Sequence, residues 1–281
     1  MRTTGVLALI AAAIVAAALL WPAPASSQRA PPDSTDLYNA GVEHIAAGRW
    51  PQAIELFKQA IAKDAKDADA QFQLGYALMH LDRPAEAVKH FRQAVELKPG
   101  DGEATHFQGM THFVLKQYPE AVKAYQQAAQ IDPSNADIHT HLGVAYTYLN
   151  QYPDALEAFR TVVKLKPDDA LARFNLGRAE LELGRLPEAE QAFKDALRLD
   201  AELAGAHVNL GAIHNRRGRF AEAIEACERA LKINPKSAAG HYQLGFAYLK
   251  SGQIARAREE QRVLQGLNPE LAKDLSRALP N

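Results

Sequence analysis

The chain has 281 residues, of which 47% are hydrophobic and 23% are charged, and its formal net charge at pH 7 is −1. This composition is ordinary for a folded protein. The near-neutral charge excludes the class of strongly basic proteins whose net charge indicates nucleic acid or an anionic membrane as the partner. The only cysteine is Cys227, which excludes an intrachain disulfide.

The first predicted element is an apolar N-terminal segment. A short positive start is followed by an uncharged run from Thr3 to Ala25 that is rich in Ala, Leu, Ile and Val. Ala23-Pro24-Ala25 has the small-x-small pattern at which signal peptidase cleaves, so residues 1–25 are expected to be a secretory signal peptide. The alternative is an uncleaved anchor formed by residues 3–21, because the run is long for a signal.

The segment after it, residues 26–33, is polar and rich in proline, as expected for a linker. Both readings of the N-terminus place the rest of the chain outside the cytoplasm. The expected location is therefore the periplasm or the extracellular space, and the anchor alternative attaches the protein to the inner membrane through residues 3–21.

Three series of small residues or prolines then recur every 34 residues. Glycine forms the first series: Gly41, Gly75, Gly109, Gly143, Gly177, Gly211 and Gly245. Alanine forms the second: Ala53, Ala87, Ala121, Ala155, Ala189, Ala223 and Ala257. The third series is Ala65, Pro99, Pro133, Pro167, Ala201, Pro235 and Pro269. Three series in phase over seven periods predict a solenoid. Its units are residues 34–67, 68–101, 102–135, 136–169, 170–203, 204–237 and 238–271.

Each unit is predicted to be a helical hairpin, and the unit that begins at Ala136 illustrates why. Leu142, Gly143 and their neighbours recur at helical spacing in its first half. Tyr152-Pro153 opens a second helix, because proline is well tolerated in the first turn. Pro167 ends that helix. Within each unit, positions are numbered from 1 to 34, so that the recurring glycine is position 8 and the recurring alanine is position 20.

This pattern resembles the tetratricopeptide repeat family over residues 34–271. Leu-Gly at positions 7–8 occurs as Leu74-Gly75, Leu142-Gly143, Leu176-Gly177, Leu210-Gly211 and Leu244-Gly245. The large residue at position 24 is Phe57, Phe91, Tyr125, Phe159 or Phe193, and departs to Cys227 and Gln261. The resemblance implies an all-α, right-handed α-solenoid of about seven hairpins. A C-terminal capping helix in residues 272–281 is expected to cover its end.

Position 4 departs most from the family pattern. Its residues are Leu37, Gln71, Thr105, His139, Arg173, His207 and His241. Because the family has a large apolar residue there, these polar side chains are expected to weaken individual hairpins.

The resemblance also implies a partner-binding groove. In this family, positions 2, 5, 6, 9, 12 and 13 of the first helices line a concave surface that binds an extended peptide or a helix of another protein. The residues expected there are Tyr38, Asn39, Phe72, Gln73, Tyr76, His106, Met110, Phe113, His141, Tyr148, Phe174, Asn175, Arg178, Asn209 and Tyr242. Two alternatives stay open: the aromatic side chains pack between hairpins, or the amides at position 6 bond the main chain of a bound peptide.

Charge is uneven along the repeats. Residues 34–203 contain 25 acidic and 18 basic side chains, whereas residues 204–281 contain 7 acidic and 12 basic ones. The basic end is either a solvated face or a surface for an acidic partner. Its arginines are Arg216, Arg217, Arg219, Arg256, Arg258 and Arg262.

Catalytic and metal chemistry receives little support. His139 and His141 are two residues apart on a helix and point in different directions, so His106 and His141 form the best candidate metal pair. Cys227 occupies a core position, and no phosphate loop, HExxH or GxSxG motif occurs. We therefore expect no cofactor, no nucleic acid and no enzyme, but a protein-binding scaffold, with a role in envelope assembly, secretion or export implied by the resemblance. The alternatives are a membrane-anchored accessory subunit and a metal-binding or catalytic protein that uses the groove histidines.

Overall fold

The computed structural model describes residues 32–280, and all regular structure in that range is helical. The predicted signal peptide, residues 1–25, lies outside the described residues, as does all of the linker 26–33 except its last two residues. The helices are α1 Ser34–Ala46, α2 Trp50–Lys63, α3 Ala68–His80, α4 Pro84–Leu97, α5 Gly102–Val114, α6 Tyr118–Ile131, α7 Ala136–Tyr148, α8 Tyr152–Leu165, α9 Ala170–Glu182, α10 Leu186–Leu199, α11 Ala204–Arg216, α12 Phe220–Ile233, α13 Ala238–Lys250, α14 Ile254–Leu267 and α15 Pro269–Ala278.

These helices form the seven predicted hairpins and a final single helix. Each second helix packs against the first helix of its own hairpin and against the first helix of the next one. Neighbouring first helices also contact each other, for example α1 with α3 and α11 with α13. The all-helical solenoid expected from the 34-residue period is confirmed.

Capping and turn residues set the ends of the hairpin helices. The residue before most first helices is an Asp, Asn or Ser whose side chain accepts a hydrogen bond from a backbone N–H of the first turn, as Asp67 does from Ala70 at 2.8 Å. Between the two helices, position 15 has a left-handed backbone in every unit. Four units have glycine there, and the others have Asp82, Lys116 and Asn150.

The glycine at position 8 lets the two helices of a hairpin approach closely. A Cβ atom on Gly143 would lie 2.6 Å from the ring of Phe159, which is the residue at position 24. In the seventh unit, position 24 is Gln261, so no aromatic ring packs against the glycine. Leu275 of α15 packs there instead, 2.5 Å from a Cβ atom placed on Gly245. The final helix thus completes the core of the last hairpin as well as covering it.

The final helix begins earlier than the sequence boundary placed it. The predicted cap starts at residue 272, but α15 begins at Pro269, because Asn268 accepts from the N–H of Leu271 and caps the helix. The boundary between the seventh unit and the cap therefore lies inside one helix.

Position 4 proves to be a hydrogen-bonding position rather than a defect. In four units its side chain donates to the carbonyl at position 32 of the preceding unit. The bonds run from His139 to Pro133 (3.0 Å), from Arg173 to Pro167 (2.8 Å), from His207 to Ala201 (3.1 Å) and from His241 to Pro235 (2.9 Å). Since a carbonyl only accepts, each histidine here donates from Nε2. These polar side chains therefore link adjacent hairpins by hydrogen bonds at a position where the family pattern has an apolar residue.

Candidate partner-binding groove

The first helices of the hairpins carry a nearly continuous aromatic strip. At its N-terminal end, the rings of Phe72 and Tyr76 on α3 lie 5.4 Å and 5.6 Å from the ring of Phe107 on α5. Trp50, at the start of α2, stacks on His80 at 4.1 Å. Phe72, Tyr76 and Phe107 are partly buried against the core of the first units, so they pack between hairpins and still present surface.

A second aromatic group lies in the third and fourth units. Phe113 makes edge contacts with Tyr118 and Tyr148, at 5.4 Å and 5.2 Å, and the two tyrosine rings stack at 4.8 Å. Met110 and Phe113 rest against the core around Tyr125, whereas Tyr148 is 57% exposed. Tyr148 is therefore the ring of this group that is most available to a partner.

His106 and His141 bond to each other across α5 and α7. Nε2 of His106 lies 2.7 Å from Nδ1 of His141, which requires one ring to donate and the other to accept. Burial, together with the charge of His141, lowers the pKa of His106 to about 4, and burial also lowers the pKa of His141. Both rings are therefore neutral at neutral pH, and each uses one nitrogen on the other.

No metal centre is formed around this pair in the part of the chain that the structure describes. Among residues 32–280, no three His, Cys, Asp or Glu side chains are arranged to hold a metal ion. The lone thiol is also unsuited to chemistry: Cys227 is fully buried, and burial raises its pKa to about 12, so it stays protonated.

A cavity of about 510 Å³ opens next to Tyr148, between α7, α8 and α9. Val144 and Phe159 form its apolar part, while Arg178 and Asn175 on α9 supply a guanidinium and an amide. The structure thus brings together Tyr148, Asn175 and Arg178 from the predicted set. Apolar and hydrogen-bonding groups in one concavity are what a side chain of a protein partner requires.

The other predicted residues are spread along the same helices and are partly used for packing. Phe174 lies against Phe193 at 5.7 Å, and Tyr242 packs on the core of α14 and α15. Tyr38 lies 5.9 Å from Phe57, whereas Asn39 is exposed.

The amides at position 6 do not form a continuous ladder. Phe107 and His141 interrupt the series. Asn209 donates to the carbonyl of Gly205 on its own helix at 2.9 Å, and the side chain of Gln243 accepts from Asn215 at 3.1 Å. Two of the amides are therefore already engaged within the protein.

Aromatic residues at position 17 contact the candidate groove residues, although the sequence analysis did not predict them. Trp50 and Tyr118 occupy this position at the start of the second helices and contact the groove rings directly. Tyr152, at the same position of the next unit, lines the cavity. The signal was present in the sequence, because an aromatic recurs at position 17, but the family pattern drew attention to the first helices alone.

None of the helices in residues 32–280 combines the length and hydrophobicity that crossing a bilayer requires.

Comparisons with known proteins agree with the helical hairpins. The family model of the cilia and flagella-associated protein 70 C-terminal domain matches residues 101–273, which is more than half of the chain. The tetratricopeptide repeat model matches residues 38–102. No curated protein matches the chain significantly.

Solved structures with the same architecture include two that align over most of their own length. YrrB, a tetratricopeptide repeat protein described as having an unusual peptide-binding site, is 26% identical over 66% of this chain and 95% of its own, with a TM-score of 0.60. MamA is 25% identical over 57% of this chain and 94% of its own, with a TM-score of 0.56. The Cut9-Hcn1 structure shares the fold over 88% of this chain and 53% of its own, at 18% identity and a TM-score of 0.61. With seven helical hairpins among residues 32–280 and these matches, the chain belongs to the tetratricopeptide repeat family.

Proposed function

We propose that this protein is a non-catalytic scaffold that binds an extended segment or a helix of another protein in its concave groove. The observation that carries the proposal is the strip of aromatic side chains along the first helices, in which Tyr148 remains 57% exposed beside a cavity of about 510 Å³. Aromatic rings supply large contact areas at low entropic cost, which is why they dominate binding energy at protein interfaces.

The similarity to YrrB supports the same role, because that protein is described as having a peptide-binding site. The buried, protonated thiol and the mutually bonded histidine pair give the groove no evident nucleophile or metal centre among the described residues. Binding rather than catalysis is therefore the function that the groove favours.

We extend the proposal to a location outside the cytoplasm and a role in envelope assembly, secretion or export. The support is the uncharged run from Thr3 to Ala25 and its small-x-small end. Sequencing the N-terminus of the mature protein tests the location, since a start at Ser26 fits a cleaved signal. An intact N-terminus in a membrane fraction would instead favour the anchored accessory subunit, and an intact protein in the cytoplasm would contradict both.

The groove itself is tested by capture of partners with the full chain. Tyr148→Ala removes the exposed ring, and Leu199→Ala is a matched control because Leu199 is also exposed, at 42%, but lies on the second helix α10. We expect Tyr148→Ala to weaken the retention of partner proteins by about tenfold, as for an aromatic anchor worth more than 1 kcal/mol, while Leu199→Ala retains them. Equal retention by both variants would contradict the concave-groove proposal.

A further inference from the structure

The concave groove changes character along its length. In the second, third and fourth units, positions 5, 6, 9, 12 and 13 contain no Asp, Glu, Lys or Arg. In the last three units the same positions contain three cations, Arg178, Arg216 and Lys250, and one acid, Glu182. We refer to these two parts as the aromatic half and the cationic half.

Two cations of the second half contact groove residues, and the third, Arg216, occupies an equivalent repeat position. Arg178 lines the cavity beside Tyr148, and the ammonium of Lys250 lies 5.5 Å above the ring of Phe246, which is itself a position-9 groove residue. Arg216 occupies position 13 of the sixth unit. The residues at position 13 of the fourth and fifth units, Tyr148 and Glu182, line the cavity.

Arg178, Arg216 and Lys250 form no salt bridge with any residue between 32 and 280. Neighbouring arginines differ in this respect. Arg217 and Arg219 both bind the buried carboxylate of Glu190, at 2.8 Å and 2.6 Å, and so belong to the protein's own packing.

Glu182, which lines the same cavity as Arg178, is the one acidic side chain at these positions of the cationic half. The other acidic side chains along the groove lie in the aromatic half. Position 2 is Asp69, Glu103 and Asp137 in the second to fourth units, whereas it is uncharged in the last three. Lys98 and Lys166 pair with the two aspartates, at 3.5 Å and 2.8 Å, and neutralise them in part. A negatively charged segment would therefore be repelled from the aromatic half and attracted to the cationic half.

On the basis of the proposed function, we infer that the partner is a protein segment in which a block of apolar or aromatic residues adjoins a block of Asp and Glu. The apolar block binds the aromatic half, and the carboxylates bind Arg178, Arg216 and Lys250. The cavity next to Tyr148 marks the junction, because its walls carry the last ring of one half and, together with Glu182, the first cation of the other.

A peptide display library selected on the full chain tests this inference. The wild-type protein should enrich peptides that carry an apolar block next to an acidic block. Peptides selected on the variant Arg178→Glu/Arg216→Glu/Lys250→Glu should still carry the apolar block, but with Lys or Arg in place of the acidic residues. A fluorescent peptide from the wild-type selection should bind this variant at least about tenfold more weakly, and the difference should shrink as salt is added.

The matched control changes the net charge equally but away from the groove. Lys89, Lys123 and Lys232 are exposed on the second helices α4, α6 and α12. Their replacement by Glu should leave the selected peptides unchanged, and circular dichroism of both triple variants checks that they fold.

Each other outcome overturns the inference in a recognisable way. Enrichment of apolar peptides without acidic bias, or the same peptides from the charge-reversed variant, would contradict the bipartite partner but leave the groove as a binding site. No enrichment by the wild-type protein would contradict the proposed function as well. Self-association that the charge reversal abolishes would identify a second copy of this chain as the occupant instead.

Discussion

Replacement of Gly143 by alanine tests the close contact between the helices of a hairpin. A Cβ atom at this position would lie 2.6, 2.8 and 2.9 Å from three carbons of the Phe159 ring, whereas ordinary van der Waals contact begins near 3.4 Å. The ring would have to retreat by more than half an ångström. Phe159 is only 3% exposed, so the surrounding core leaves it little room to do so.

Two opposing effects decide the size of the change. Overpacking of a core costs about 1–3 kcal/mol, while alanine in place of glycine in a helix gains about 1 kcal/mol. Because the clash at Gly143 is severe, we expect Gly143→Ala to destabilise the protein by about 1–2 kcal/mol. At Gly75 the nearest carbons of Phe91 lie at 3.0 Å, so the two effects should nearly cancel in Gly75→Ala.

The measurement is chemical and thermal unfolding of both variants under identical conditions, monitored by circular dichroism. Gly266→Ala is the matched control, because Gly266 is also helical and nothing lies within 4 Å of its added Cβ. This control should gain about 0.4–1 kcal/mol. In Gly143→Ala/Phe159→Leu, the smaller side chain should relieve the clash, so that the double variant loses less stability than the two single variants added together. Equal losses in Gly75→Ala and Gly143→Ala would refute this account of position 8.

Two further predictions concern ionisable groups. Burial alone would raise the pKa of Glu190, but hydrogen bonds from Arg219 and Lys194 outweigh it and lower the pKa to about 2. The carboxylate therefore contributes stability that is present above about pH 4.5 and is lost as the pH falls toward 2. Glu190→Gln should lower the free energy of unfolding by about 1–3 kcal/mol at neutral pH and should reduce the loss of stability in acid. Urea unfolding at several pH values measures both effects, and an unchanged acid profile would contradict this role. For His106 and His141, the lowered folded pKa values mean that the unfolded chain binds more protons below pH 6.5. The wild-type protein should lose stability between about pH 6.5 and 4, and His106→Gln/His141→Gln should lose less. An identical slope in both proteins would be evidence against the buried neutral pair.

Much of the fold follows from the sequence because each hairpin repeats the same packing problem. The glycine at position 8 and the ring at position 24 meet in unit after unit, so a pattern of residue types specifies a contact between helices. The last unit shows the limit of this reasoning. Gln261 reads as a departure from the pattern, and only the structure reveals that Leu275, from another helix, supplies the missing apolar group.

Other features escaped prediction because they depend on geometry between units. The residues at position 4 appeared to be defects in an apolar core, but the distance from His207 to the carbonyl of Ala201, 3.1 Å, makes such a residue a hydrogen-bond donor. Likewise, Tyr118 belongs to a second helix, and its stacking on Tyr148 arises from the turn between the helices. Sequence spacing within one helix does not report such contacts.

The proposed groove positions vary in residue type far more than the packing positions do. Position 8 is glycine in all seven units, but position 9 is an aromatic Tyr76 in one unit and a charged Arg178 in another. Position 13 likewise accepts Tyr148, Arg216 and Lys250. Since the same hairpin forms around each of these side chains, the needs of the fold do not explain why cations occupy these positions in the last three units and are absent from them in the second to fourth. The segregation is explained by contact with a partner whose own apolar and acidic residues are segregated, and the charge-reversed variant therefore tests the binding surface separately from the fold.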